Sequence, residues 1–169
     1  MNTTTDTLDL EARAHSEHAQ ELRLWLRLLA CSQLIEKRVR TGLRERFDTT
    51  LPRFDLMAQL ERHPEGLKMK ELSQRLMVTG GNVTGITDQL VAEGLVERVG
   101  VEGDRRAFLV RLTPKGREAF ERMAVEHEQW IVEAFEGMSA RDLESLHRLL
   151  GKVKQHQLDI NQRLDAPTE

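Results

Sequence analysis

Apolar residues recur at three- and four-residue spacings along most of the chain, and the breaks between these runs divide it into helices and one hairpin. From His18 to Phe47 no proline intervenes, and Leu22, Trp25, Leu26, Leu29, Val39, Leu43 and Phe47 keep a helical period, which predicts one long helix. Its first half, LeuArgLeuTrpLeuArgLeuLeuAlaCys, is apolar on more than one face. Such a segment needs cover on more than one side, either as a central core helix or against a second subunit. Thr50-Leu51-Pro52 starts a second helix, because proline is tolerated in a first turn where its missing N–H costs nothing. Phe54, Met57 and Leu60 point inward from it, and His63-Pro64 ends it.

The middle of the chain changes period more often. Leu67 to Met69 reads as a short strand, followed by a helix over 70–77 with Leu72 and Leu76 inward. After a break, Thr79 is placed to cap a further helix by accepting the Asn82 N–H. Val83, Ile86 and Leu90 form the inward stripe of that helix, leaving Asn82, Thr84, Gly85 and Thr87 outward or along its sides. Gly94 supplies a left-handed helix end. LeuValGluArgVal alternates as a strand, GlyValGluGlyAspArgArg is turn-rich, and AlaPheLeuValArgLeu is a second strand, so a hairpin is expected with Arg105 and Arg106 near its tip.

Two helices close the chain. Thr113 caps the first with Pro114 in its opening turn, Phe120, Met123, His127, Ile131 and Ala134 mark one face, and it ends near Gly137. Ser139 caps the second, whose Leu143, Leu146, Leu150, Val153, Gln157, Ile160 and Leu164 form a heptad seam. A narrow seam at a chain end either docks on its own domain or pairs with a partner. The expected organisation is an arm at 1–17, the first helix of a pairing region at 18–50, a central lobe at 51–113, C-terminal helices at 114–164 and a tail at 165–169.

Composition changes this picture only in part. Aromatic residues make up 4% of the 169 and there is no Tyr, which favours helices over a large sheet. The net charge of -3 argues against indiscriminate coating of nucleic acid. It is unevenly spread: between Gly66 and Arg117 nine Lys and Arg face six acids, so the centre carries +3 and the remainder -6. A basic centre between acidic helices suits a protein that touches phosphate with one face. The single cysteine, Cys31, rules out a disulfide framework and is expected to be a buried, inert thiol. The N-terminus lacks the basic and apolar regions of a signal peptide and no apolar run approaches a membrane span, so a soluble cytoplasmic protein is expected.

The chemistry-bearing residues cluster in the centre. Gly80 and Gly81 leave the helix start thin, so free N–H groups and the helix dipole there can approach a phosphate or the floor of a groove. Asn82 can pair with an adenine edge, and Thr84 can donate to a base or meet a thymine methyl. No Ser/His/Asp set, phosphate loop or HExxH grouping is present, and no enzyme is expected. His15 and His18 with Glu11 or Glu17 could bind zinc, though a mobile arm organises ligands poorly, and no metal or cofactor is expected.

AspArgArg at 104–106 with ValArgLeuThrProLysGly at 110–116, after a helix-turn-helix and before two long helices, resembles the multiple antibiotic resistance regulator (MarR) family over about residues 20–160. The resemblance implies a mostly α, α+β winged helix-turn-helix fold, with long N- and C-terminal helices that interlock in a homodimer on a pseudo-palindromic operator. By the same resemblance, Arg106 would enter the minor groove with Asp104 holding it, and Arg105 would touch phosphate. DNA-binding residues are then Thr79, Gly81, Asn82, Thr84, Gly85, Asp104, Arg105 and Arg106.

Many family members respond to small aromatic molecules held between the pairing helices and the DNA-binding lobe. Trp25, Leu29, Phe54 and Met57, with His127 or Trp130, would line such a pocket. The strings LeuArgLeuTrpLeuArgLeuLeu, ThrLeuProArgPheAspLeuMetAlaGlnLeu and MetValThrGlyGlyAsnValThr are similar to regulators of aromatic-acid catabolism, some of which answer to hydroxycinnamoyl-coenzyme A thioesters. Arg40, Arg44, Arg46 and Arg53 would then meet the coenzyme phosphates. The expected function is a ligand-released repressor. The competing readings are a winged-helix interaction module without DNA binding, which would lack the wing cations, and a thiol- or metal-responsive regulator.

Overall fold

A computed structural model describes residues 19–76, 80–101 and 104–164. The chain is built from α1 (Ala19–Phe47), α2 (Leu51–Glu61), α3 (Met69–Arg75), α4 (Gly80–Ala92), β1 (Val96–Val101), β2 (Asp104–Leu112), α5 (Pro114–Ala134) and α6 (Ala140–Leu164). It divides into two compact units, one ending at Ile131 and one starting at Val132. Among the described residues no helix is long and apolar enough to cross a membrane, and no group of three His, Cys, Asp or Glu is placed to hold a metal. His15, His18, Glu11 and Glu17 lie outside the described residues.

The first unit has one hydrophobic core, to which every element from α1 to α5 contributes. Phe54, Leu56, Met57 and Leu60 enter it from α2, Leu72 from α3, and Val83, Ile86 and Leu90 from α4. Val96, Val110 and Leu112 come from the hairpin, and Phe120, Met123 and Trp130 from α5. Only the C-terminal half of α1 reaches it, through Val39, Gly42 and Leu43. Gly42 is needed there because an added Cβ would lie 2.5 Å from the Trp130 indole.

Local signals set most of the helix ends. Gly94 has φ +72°, with Leu95 N–H donating to the Leu90 carbonyl at 2.9 Å and Gly94 N–H to Val91 at 2.9 Å, the paired bonds of a left-handed helix end. Glu71 accepts the Lys68 N–H at the start of α3. The strand expected over Leu67 to Met69 shrinks to one bridge, Leu67 with Val110, because Met69 already belongs to α3. Gly66 precedes that bridge at φ +94°, with its Cα face against the Val110 carbonyl.

Two expectations are corrected. Thr87 does not face outward: it is fully buried, and its hydroxyl donates to the Val83 carbonyl at 2.8 Å. The hydroxyl is satisfied within its own helix, so the side chain can sit beside the apolar stripe. Cys31 is exposed rather than buried. It belongs to the part of α1 that the chain itself leaves uncovered, where Leu22, Leu24 and Trp25 are also exposed, Trp25 at 57%.

The second unit holds the end of α5 and all of α6. Ser139 and Asp142 cap α6 reciprocally: the Asp142 N–H donates to the Ser139 hydroxyl oxygen at 3.2 Å, and the Ser139 hydroxyl donates to the Asp142 carboxylate at 2.6 Å. None of the 25 residues of α6 is buried. Along its seam Leu143, Leu150 and Val153 are exposed, and Leu164 is 77% exposed.

Candidate nucleic-acid interface

α4 separates its two faces cleanly. Val83, Ile86, Thr87 and Leu90 are buried, while Asn82, Thr84, Gly85, Asp88 and Gln89 are exposed. Gly80 and Gly81 form its first turn. A Cβ added at Gly85 would meet nothing within 4 Å, so this position is open to an incoming surface. Thr79, expected to cap the helix, lies outside the described residues. What remains is a row of amide and hydroxyl groups on a helix held rigidly from behind, the chemistry that reads base edges.

The wing is an antiparallel pair with Val96 opposite Leu112, Glu97 opposite Arg111, Arg98 opposite Val110 and Gly100 opposite Phe108. The register breaks after Gly100, and Val101 pairs with Asp104. Asp104, Arg105 and Arg106 therefore open β2 rather than sitting in the turn itself; their side-chain roles fall outside the described residues. At about 3.3 Å per residue, the Arg106 backbone stands about 13 Å beyond Val110, the outermost residue of β2 that is buried in the core. On the outer face Arg111 Nε donates to Glu97 Oε1 at 2.7 Å.

The base of the wing is locked to the end of α4. The Thr113 hydroxyl donates to the Gly94 carbonyl at 2.8 Å and accepts the Gly116 N–H at 2.9 Å. Thr113 N–H donates to the Leu95 carbonyl at 3.1 Å, and the Lys115 ammonium donates to the Glu93 carbonyl at 2.8 Å. A Cβ on Gly116 would lie 1.8 Å from the Leu95 carbonyl oxygen. That contact gives the LeuThr-x-x-Gly string its physical meaning: threonine ties wing, helix end and next helix together, and only glycine allows the approach.

Beside this surface lies a cavity of about 700 Å³, open to solvent, between the end of α1, the start of α2 and one side of α4. Arg40, Arg44 and Arg53 line it, together with Asn82, Ile86 and Gln89 of α4. Arg40 donates to Glu36 from Nε at 3.0 Å. Arg53 is ion-paired with Glu93, and its buried Nε has no hydrogen-bond partner among the described residues. Asp55 has its pKa raised by burial and by the neighbouring Glu36, with Arg40 opposing.

The aromatic wall expected for an effector pocket is not at this cavity. Phe54, Met57 and Trp130 are buried in the core; Phe54 stacks on Phe120 with ring centroids 5.4 Å apart and meets His127 at 4.8 Å. Burial lowers the His127 pKa. Trp25 and Leu29 belong to the N-terminal half of α1 and do not reach the cavity. Arg46 is diverted as well, pairing with Glu126 and lying 6.0 Å from the Trp130 ring centroid. Sequence reasoning missed Asn82, Ile86 and Gln89 as cavity walls, since nothing local relates α4 to the α1–α2 link.

A helical lobe that presents one exposed helix and flanks it with a two-stranded wing is a winged helix-turn-helix protein. The sequence model of the MarR family matches residues 47–107. A MarR family transcriptional regulator from Silicibacter pomeroyi is 30% identical, with a TM-score of 0.71 over 85% of this chain and 99% of that one. The chain belongs to the MarR family of transcriptional regulators. The regulator PecS of Dickeya dadantii is 30% identical over 105 residues, 61% of this chain and 63% of PecS, so the match spans less than two thirds of that relative's length. The fold is also that of a cysteine variant of E. coli MarR solved with operator DNA, 24% identical, TM-score 0.69, covering 82% of this chain and 99% of that one.

Proposed function

We propose that the chain is a sequence-specific DNA-binding repressor that acts as a homodimer and is released by an anionic aromatic effector. The observation that carries this reading is the segregation of α4, whose exposed face offers Asn82, Thr84, Gly85 and Gln89 while its other face anchors the core. Gly81 belongs to the same helix start, Thr79 precedes it in the sequence, and Asp104, Arg105 and Arg106 belong to the adjoining wing. Arg106 enters the minor groove, Asp104 orients it, and Arg105 meets phosphate. Support for a homodimer comes from the uncovered apolar residues of α6 and of the first half of α1. A three-repeat seam with no buried residue is what a partner helix covers.

The effector is an aromatic acid or its coenzyme A thioester. The cavity supports this class through Arg40, Arg44 and Arg53, which outnumber the one acid of its wall, Glu45. It binds one state of the protein better than the other and so shifts the spacing of the two α4 helices in the dimer.

A duplex enriched by the protein from a random-sequence pool is the probe for DNA binding. Arg106→Ala is expected to weaken its binding and lower the salt slope by about one; binding as tight as wild type at fixed salt would sink the wing role. Thermal-shift measurements against aromatic acids and their coenzyme A esters test the effector, with an upward shift expected from mass action. No shift with either class removes it.

A further inference from the structure

The inward face of the wing changes character halfway along. Val96 and Leu112 pair there and are both buried; the next pair on that face is Arg98 with Val110, and the next is Gly100 with Phe108. Since Val110 is fully buried, Arg98 occupies a position where the alternation of a half-buried hairpin calls for an apolar side chain. Its guanidinium lies 5.3 Å from the centroid of the Phe108 ring, diagonally across the ladder. It also pairs with Asp88, on the exposed face of α4. One side chain thus touches both strands of the wing and the helix proposed to read bases.

We propose that Asp88 and Arg98 are positioning residues that set the angle of the wing against α4. They thereby set the distance between the base-reading face and the Arg105–Arg106 segment. This rests on the DNA-binding reading above. A two-stranded hairpin is marginal by itself, and the lock at Thr113 and Gly116, the Leu67 bridge to Val110 and the burial of Val96, Val110 and Leu112 hold only its inner half. With the Arg106 backbone about 13 Å beyond Val110, a hinge of about 10° there moves it by about 2 Å. That is more than a hydrogen bond tolerates. The pair is partly exposed, side chains 32% for Arg98 and 57% for Asp88, so its effect on stability is small. Its effect on direction is not.

The charge of Asp88 makes the test decisive. Asp88→Asn removes a negative charge from a helix facing DNA, so electrostatics alone predicts tighter binding, whereas loss of the brace predicts weaker binding. With the duplex enriched by the wild-type protein as probe, Asp88→Asn and Arg98→Gln are each expected to weaken binding about tenfold with an unchanged salt slope. The double variant should be no weaker than the weaker single one, and the exchange Asp88→Arg with Arg98→Asp should recover part of the loss. Wild-type affinity in both single variants overturns the brace while leaving DNA binding intact. So does a result in which Arg98→Gln lowers the salt slope by about one and Asp88→Asn binds as well as or better than wild type, because Arg98 is then a phosphate contact. If the wild-type protein enriches no duplex, the DNA-binding reading fails and the brace with it.

Discussion

Replacing Gly116 with alanine puts a Cβ 1.8 Å from the Leu95 carbonyl oxygen, about half an ordinary contact distance, and neither backbone can swing aside as a flexible side chain would. Relief requires the start of α5 to move away from the end of α4. That movement strains the bonds joining Thr113 to Gly94, Leu95 and Gly116. At about 1 kcal/mol for each of three hydrogen bonds, the expected loss is about 3 kcal/mol, or about 6–12 °C in thermal midpoint for a chain of this size. Gly85→Ala is the control. Its Cβ meets nothing within 4 Å, and alanine in a helix interior is favoured over glycine by about 1 kcal/mol, so the midpoint should rise by about 2–4 °C.

Thermal and urea unfolding of both variants and the wild type, at one fixed protein concentration so that self-association does not move the baseline, measure the two shifts. A loss below 1 kcal/mol for Gly116→Ala would refute the close approach at the base of the wing. Destabilisation by Gly85→Ala would refute the open face of α4. The same variant separates folding from function: a methyl on the face proposed to approach DNA should weaken binding to the enriched duplex while the fold becomes more stable.

Other consequences follow from burial and charge. Asp55 holds its proton more tightly in the folded chain than an ordinary carboxyl does, because of burial and Glu36; it favours folding at low pH, and that contribution is lost as pH rises through its folded pKa. Asp55→Asn should therefore raise the unfolding midpoint at neutral pH, and no rise would remove the desolvation argument. His127 has the opposite sign: burial favours its neutral form, so stability falls as pH drops below about 6.5, its unfolded value. His127→Phe should flatten that part of the pH profile measured by urea midpoint. Val153→Glu, at a seam position 47% exposed in the single chain, should convert a dimer to a monomer in sedimentation, with the helix content of the monomer retained; an unchanged dimer would exclude α6 as the pairing surface.

The elements were legible because their signals are local. Pro114, Thr113, Ser139 and Gly94 each mark an end through their own backbone or side-chain chemistry, and the stripe Val83, Ile86, Leu90 follows from helical period alone. Long-range relations were not. Thr87 was misplaced because a hydroxyl reads as polar until its bond to the Val83 carbonyl is seen. Arg98 looked like one more cation of a basic segment; only its register opposite Val110 places it on the face of the hairpin that carries Val96 and Leu112. Phe54, Met57 and Trp130 suited a pocket by type, but the same apolar surface suits a core, and the choice depends on how α1, α2 and α5 pack. The arginines were harder still, since nothing local tells that Arg46 is exposed and pairs with Glu126 while Arg53 is largely buried and pairs with Glu93.

The place of Ile86 narrows how the proposed effector would act on DNA binding. Ile86 belongs both to the buried stripe of α4 and to the cavity wall, while Asn82 and Gln89 belong to the cavity and to the exposed face of the same helix. An occupant therefore touches the reading element directly and needs no relay of side chains to reach it. To weaken DNA binding tenfold it must prefer the DNA-free arrangement by only about 1.4 kcal/mol. One charge-assisted hydrogen bond to an arginine of the cavity wall, made in one arrangement and lost in the other, is of that size. By the same linkage, DNA must weaken the ligand by the identical factor. An effector whose affinity is unchanged when the enriched duplex is saturating would bind elsewhere, or would not be an effector.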